Sequence, residues 1–271
     1  MPYSVYIAFG LIVVIGLLFK TKFIQHLRPV ILLAVLVYFG FMEGGCNCIL
    51  FYFQGFILFL MGKSLFLSSF VFIMVILILS VIFGAIWCGW LCWLGALQEF
   101  IYQKNKWSLF QSKKSQKILR YVQMSAFMAL VIWILLSQRP VLCGYDPFVS
   151  ISKLRIFNGV GYITVPLLLL SSLFIFRPFC RICPIGLLLY GVKYLPFAKK
   201  LKLDNCNNCR KCHSYCKMDA IQSNKLQVTS YELQVTTQIE KNCIMCGECK
   251  KADCKSISKT HLEHIESKIS P

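Results

Sequence analysis

The chain has 271 residues, 57% of them hydrophobic and 15% charged, with a mean hydropathy of +0.65. That balance is too apolar for a single soluble globule and for wholesale disorder. The net charge of +18 is unevenly spread: Met1 to Leu195 holds 16 Lys/Arg against Glu43, Glu99 and Asp146, whereas Pro196 to Pro271 holds 13 against 8 acids.

Apolar runs of about 17 to 25 residues cross hydrocarbon as helices, because only a helix bonds its own backbone there. Tyr3 to Phe19 is the first such run, and with no basic side chain before it and no small-residue cleavage site after it, it reads as a retained anchor. Pro29 to Met61 is ambiguous. Pro29 to Met42 is short for a span, and Glu43-Gly-Gly-Cys-Asn-Cys48 separates it from the apolar Ile49 to Met61. One reading is a helix plus an interfacial segment; the other is a broken or re-entrant helix covered by protein.

Leu65 to Trp87 is the clearest span, and Cys88-Gly-Trp-Leu-Cys92-Trp93 closes it. The basic run Lys104 to Arg120 reads as a positive-inside signal in contact with lipid headgroups; no recognition module accompanies it, so nucleic acid is not an expected partner. Tyr121 to Leu136 spans next, followed by the turn Cys143-Gly-Tyr-Asp-Pro-Phe148. Val160 to Phe176 is the last span, closed by Arg177-Pro-Phe-Cys180-Arg-Ile-Cys183-Pro-Ile-Gly186.

Counted as five spans, the Lys20 to Arg28 and Cys88 to Arg120 loops carry 3 and 6 basic residues, against Lys63 and then Arg139, Lys153 and Arg155 opposite. This sets the N-terminus outside and the tail on the cytoplasmic side of the cell membrane. Were Ile49 to Met61 a separate span, the N-terminus would move inside and the tail would stay. Cys88, Cys92, Cys180 and Cys183 then share the tail's face, and Cys46, Cys48 and Cys143 fall on the opposite one. The first four read either as a redox or metal site at a cationic boundary or as small apolar residues packed at helix ends. The outer three read as a redox centre, a disulfide or free thiols.

Eight of the fifteen cysteines lie in the tail between Cys206 and Cys254. Cys206, Cys209, Cys212 and Cys216 read CxxCxxCxxxC, and Cys243, Cys246 and Cys249 repeat the arrangement, with four residues, Lys250 to Asp253, before Cys254 instead of three. Three thiolates on one tight loop suit a cubane cluster, and the fourth of each run reaches the other cluster. Hence Cys206, Cys209, Cys212 and Cys254 are assigned to one [4Fe–4S] cluster, and Cys243, Cys246, Cys249 and Cys216 to a second. Paired zinc sites are the alternative, but they need two CxxC pairs each. His213, inside the first loop, reads as a solvated surface residue. None of His26, His213, His261 or His264 lies within a span, so haem is not expected.

The tail from about Leu203 to Ile257 resembles the bacterial two-cluster ferredoxins, with Lys217 and Lys255 where that family has proline. With the cysteine pairs at span ends, the resemblance widens to the NapH-type membrane iron–sulfur proteins, related to NosR-type and CcoG-type proteins. Trp93 departs from the proline usual after the first pair, and Cys180-Arg-Ile-Cys183 is one residue shorter than usual. The expected fold is a membrane all-α bundle of about five transmembrane helices over residues 1–195, a small α+β two-[4Fe–4S] ferredoxin-like domain over 196–258, and a polar tail over 259–271.

No constellation of catalytic acid, base or nucleophile is visible, which suits an electron-transfer subunit rather than a complete enzyme. Its expected partners are the lipid bilayer, a quinone or membrane protein, and a cytoplasmic carrier; the tail's net charge of +5 would steer an acidic, flavodoxin-like one. A redox assembly or regulatory factor for a metalloenzyme is the alternative that the CcoG-type resemblance implies. A transporter is disfavoured because Glu43, Lys63 and Asp146 sit at turns or span ends.

Overall fold

A computed structural model describes residues 3–19, 21–43, 48–103, 113–140, 151, 159–192, 216–218, 221–222, 238–239 and 243–248. The chain divides into a helical unit, Met1–Lys200 with Ile244–Cys246, and a second unit, Leu201–Cys243 with Gly247–Pro271.

Each clear apolar run forms a helix: α1 (Tyr3–Leu18), α4 (Leu67–Phe83), α6 (Lys113–Ser137) and α7 (Gly159–Phe174). The ambiguous stretch forms two. They are α2 (Lys22–Val35), continued by a π-helical segment Leu36–Met42, and α3 (Ile49–Leu60). Three stretches, Phe23–Met42, Ser64–Phe83 and Lys117–Ser137, are long and apolar enough to cross a membrane, while Tyr3–Leu18, Ile49–Leu60 and Tyr162–Phe174 are apolar but shorter. Large side chains such as Ile78, Ile82, Met128, Ile132, Leu167 and Leu170 stay exposed, as helices facing hydrocarbon require.

Lipid is as apolar as leucine, so these helices associate by close packing rather than by water exclusion. On α3, Gly55 lets Ser69 of α4 approach so closely that an added Cβ would overlap its side chain. Tyr52 stacks on Phe72 with ring centroids 3.9 Å apart, and Trp87 meets Phe72 edge-on at 5.6 Å. Gly16 of α1 admits the Phe83 ring in the same way.

Two hydrogen bonds fix which helix ends lie together. Lys63 Nζ, beyond α3, donates to the Gln138 carbonyl beyond α6 at 2.5 Å. Near the other end of α6, Gln123 Nε2 donates to the Cys183 carbonyl at 2.6 Å. Cys183 therefore marks one end of the bundle, and Lys63 the other.

Segment α2 starts and finishes at the cysteine end. Phe19, just before it, packs edge-on against Trp90 at 6.5 Å; Arg28 bonds Glu99; and Phe39 lines the same cavity as Cys48 and Cys88. A helix of some twenty residues is about 30 Å long, so this one runs across that end of the bundle instead of passing through it. Pro29 sits inside it and removes the bond to the carbonyl of Gln25, one turn earlier.

The span Leu65 to Trp87 also stops short. Gly84 ends α4 with φ 82°, a value glycine adopts without strain, and the chain turns through a π-helical Trp87–Leu91 into α5 (Trp93–Ile101). After α7, α8 (Pro178–Ile182) and α9 (Pro184–Val192) each begin on proline, whose fixed φ suits a first helical position. In the second unit, β1 (Ile221–Gln222) pairs antiparallel with β2 (Gln238–Ile239), Ile221 opposite Ile239. The ferredoxin-like helices expected there lie outside the described residues.

Candidate metal centre

Five cysteines from three parts of the chain line one cavity: Cys48, Cys88, Cys92, Cys180 and Cys183. Each occupies a helix boundary. Cys48 caps the start of α3, its sulfur accepting the Leu50 N–H at 3.4 Å. Cys88 lies in the π-helical turn after α4, and Cys92 stands between that turn and α5. Cys180 is inside α8, and Cys183 ends it. Helix boundaries suit this role because short π-helical and proline-initiated pieces re-aim side chains that a continuous helix would spread around its axis. The remaining wall is apolar, with Phe39, Leu91, Phe179 and Ile185 among its residues.

Cys48 corrects the expected arrangement, since it shares the cavity of the two pairs and does not face away from them. The reason is α2. Counted as a span, it carries Cys48 to the opposite face; lying across the end of the bundle, it returns Cys48 to the pairs. Cys46 and Cys143 lie outside the described residues, as do Cys206, Cys209, Cys212, Cys249 and Cys254. Of the tail set, Cys216, Cys243 and Cys246 are described, all half-buried.

Beside the cavity lies a charge cluster that no sequence pattern singled out. Arg28 and Arg177 are buried at 3% and 0% exposure and converge on Glu99 of α5. Arg28 grips both carboxylate oxygens, Nη1 to Oε1 at 2.6 Å and Nη2 to Oε2 at 2.8 Å. Arg177 donates to Oε2 through Nη2 at 2.6 Å and Nε at 3.1 Å. Its Nη1 also donates to the Cys88 carbonyl at 2.5 Å, and its Nη2 to that of Gly89 at 3.3 Å. The Arg28 guanidinium also lies over the Trp90 ring, 5.7 Å from its centroid. The only hint in the sequence is position: Arg177 immediately precedes Pro-Phe-Cys180, and Glu99 is the lone acid between Glu43 and Asp146.

The electrostatics follow from this packing. Burial pushes the Glu99 carboxyl up, but Arg177 and Arg28 more than offset it and hold it at about 2. Burial likewise disfavours the charged Arg177, yet Glu99 keeps its guanidinium more firmly protonated than usual. The hydrogen bond from Cys180 lowers the Cys92 thiol below its ordinary value against the opposing effect of burial. Cys180, as donor in that bond and buried, is pushed well up.

Ile244–Cys246 packs within the same helical unit. Trp90 Nε1 donates to the Met245 carbonyl at 3.0 Å, and an added Cβ at Gly89 would overlap the Ile244 carbonyl oxygen. Met245 adopts φ 55°, which turns this short piece against the π-helical turn.

Among the described residues no three His, Cys, Asp or Glu side chains cluster tightly enough for a single metal ion. A cubane spreads its thiolates over four irons, and cysteines drawn from separate helix ends around an apolar cavity fit that wider demand. The donor chemistry agrees, being all sulfur.

Comparison with known proteins points the same way. Residues 65–114 and 157–203 match the model of a 4Fe-4S binding domain. The first segment carries Cys88 and Cys92, the second Cys180 and Cys183, and neither reaches the tail cysteines. An uncharacterized protein of Methanocaldococcus jannaschii is 28% identical over 240 residues, 86% of this chain and 93% of the relative. YccM of Escherichia coli, named as an electron transport protein, is 29% identical over 188 residues, 64% of this chain and 50% of its own. Protein NirI of Paracoccus denitrificans is 29% identical over 147 residues, 50% of this chain and 21% of NirI. No solved structure matches the chain. The chain is thus similar to membrane-type 4Fe-4S proteins.

Proposed function

We propose that this chain is an integral membrane electron-transfer protein that passes single electrons between a membrane partner, either a quinone or a membrane protein, and a carrier on the cytoplasmic side. Cysteine pairs from two separately matched 4Fe-4S segments, far apart in sequence, line one cavity, and that observation carries the reading. Cys88, Cys92, Cys180 and Cys183 would hold one iron–sulfur centre there. Two further [4Fe–4S] clusters would sit in the tail, on Cys206, Cys209, Cys212 and Cys254 and on Cys243, Cys246, Cys249 and Cys216. Such centres supply reversible one-electron exchange.

The chain's own residues bind and shield. Phe39, Leu91, Phe179 and Ile185 give the cavity an apolar lining, which would shield a bound centre from the side reactions of exposed thiols. The backbone that carries Cys88 is fixed by Arg177 through its carbonyl. Five crossings, α1, α3, α4, α6 and α7, with α2 lying across one end, keep the N-terminus outside and the tail inside, in accord with the basic residues of the loops.

Iron and acid-labile sulfide per chain, measured on anaerobically purified protein with electron paramagnetic resonance of the reduced sample, test the proposal. Three cubanes give about twelve irons per chain, and the two tail clusters alone about eight. Zinc without sulfide would refute electron transfer altogether.

A further inference from the structure

Ile244–Cys246 packs within the helical unit, although the residues on either side of it in sequence belong to the second one. The π-helical turn Trp87–Leu91 receives it. Trp90, which has no exposed surface, holds the Met245 carbonyl through its indole N–H. Gly89 lets the two backbones meet: a Cβ there would overlap the Ile244 carbonyl oxygen and lie 3.3 Å from the Cys246 nitrogen. At Gly84 a Cβ would lie 3.1 Å from Met245 Cγ and Cε and 3.4 Å from its sulfur, so the Met245 side chain fills the turn that ends α4. Ile244 and Met245 are accordingly buried.

Both sides of this contact carry cysteines of the candidate centres. Gly89 directly follows Cys88 and stands in the interval that Cys92 closes, while Cys246 is itself one of the tail set. Met245, the residue before it, has φ 55°. A non-glycine residue takes that conformation at an energetic cost, which persists only where the surroundings over-determine it. Here a hydrogen bond and two glycines do so. An electron tunnels faster across bonded and closely packed atoms than across a gap, and the rate falls steeply with distance. Between Cys88 and Cys246 the path is one peptide unit to Gly89 and one van der Waals contact to the Cys246 backbone.

We propose that Ile244–Cys246 is the junction at which single electrons pass between the tail cluster ligated by Cys246 and the centre on Cys88, Cys92, Cys180 and Cys183, with Gly89 and Trp90 as the residues that position it. This rests on the functional reading above, which supplies both centres. In each transfer one centre loses an electron and the other gains it; no bond forms or breaks and no proton moves. Of the two tail clusters, the one on Cys243, Cys246, Cys249 and Cys216 is therefore the neighbour of the cavity centre, and the one on Cys206, Cys209, Cys212 and Cys254 lies beyond it on the route to the soluble carrier.

The test uses the full chain, purified anaerobically, with iron and sulfide analysis. It is mixed with dithionite, a soluble one-electron donor, and frozen at intervals for electron paramagnetic resonance. In wild type the signal of the reduced cavity centre should be broadened by its reduced, paramagnetic neighbour. Cys249→Ser, which removes that neighbour, should sharpen the signal and make reduction of the cavity centre about tenfold slower. Gly89→Ala should do both with iron content unchanged, because it displaces the junction and removes no ligand. A signal as broad, or a reduction as fast, as in wild type overturns the proposal in either variant. Should Gly89→Ala lose iron, Trp90→Phe decides: a sharper signal and slower reduction with all iron retained support the junction, whereas wild-type behaviour or a second loss of iron overturns it. Failure of the functional reading is read separately. If Cys180→Ser or Cys249→Ser keeps the iron content of wild type, the corresponding centre does not exist, and that reading falls first.

Discussion

Removing the charge of Glu99 should expose how much the buried cluster contributes to holding the cysteine end together. In Glu99→Gln, two buried guanidiniums lose their carboxylate, and breaking one side of a buried pair costs about 3 to 5 kcal/mol. The acidity of Glu99 gives an independent figure. Its carboxyl is held at about 2 against an ordinary value of 4.5, and at 1.36 kcal/mol per unit that corresponds to roughly 3 kcal/mol of native-state preference. The folded value is depressed, so this stability is fully present above pH 4.5 and is lost as pH falls through about 2. Thermal unfolding in detergent, followed by helical circular dichroism, should therefore show Glu99→Gln melting roughly 6 to 12 °C below wild type at pH 7. The gap should narrow as the pH is lowered from 4.5 towards 2. A gap that is absent at pH 7, or equally wide at both ends of that range, would refute the reasoning.

Other outcomes follow from close contacts and ligand assignments. Gly89→Ala should push Ile244–Cys246 off the π-helical turn, because its Cβ overlaps the Ile244 carbonyl oxygen; faster amide exchange in this segment, with α3 and α4 unchanged, is the readout. Trp90→Phe should weaken the same attachment by about 1 kcal/mol, the worth of one hydrogen bond, as read in the same exchange experiment. Gly55→Leu should separate α3 from α4, at a cost of about 1 to 3 kcal/mol for overpacking, seen as a lower melting temperature. Cys212→Ser should lose about four irons per chain, whereas Cys143→Ser should keep the tail clusters, as iron analysis would show.

How legible this molecule is from its sequence depends on which physical rule governs each part. Where a continuous apolar run is bounded by polar residues, as in α1, α6 and α7, composition alone places the helix to within a few residues, apart from the basic start of α6. The rule loses its grip at Pro29 to Met61. An apolar helix that crosses and one that lies across the end of a bundle look alike in composition. What separates them is the pairing of Arg28 with Glu99, 71 positions apart, and no local pattern encodes it. The place of Cys48 beside the two pairs follows from that lie of α2. The cysteine pairs were legible as spacing and as helix-end residues, but their convergence required the turn at Gly84, visible beforehand only as a glycine in a span.

The same argument accounts for the charge cluster. A short list of charges in an apolar chain invites the positive-inside reading, in which Arg28 and Arg177 merely mark the inner face. Both do border that face in the proposed topology, yet both are buried, and Glu99 sits between them. Simple orientation needs cations that reach headgroups and water, as long basic side chains near helix ends do. A guanidinium with no exposure, holding the carbonyl of Cys88 and facing the same spot as Cys180, meets neither lipid nor solvent. Its position is explained by what it holds, the turn that carries one cysteine pair and the start of the helix that carries the other.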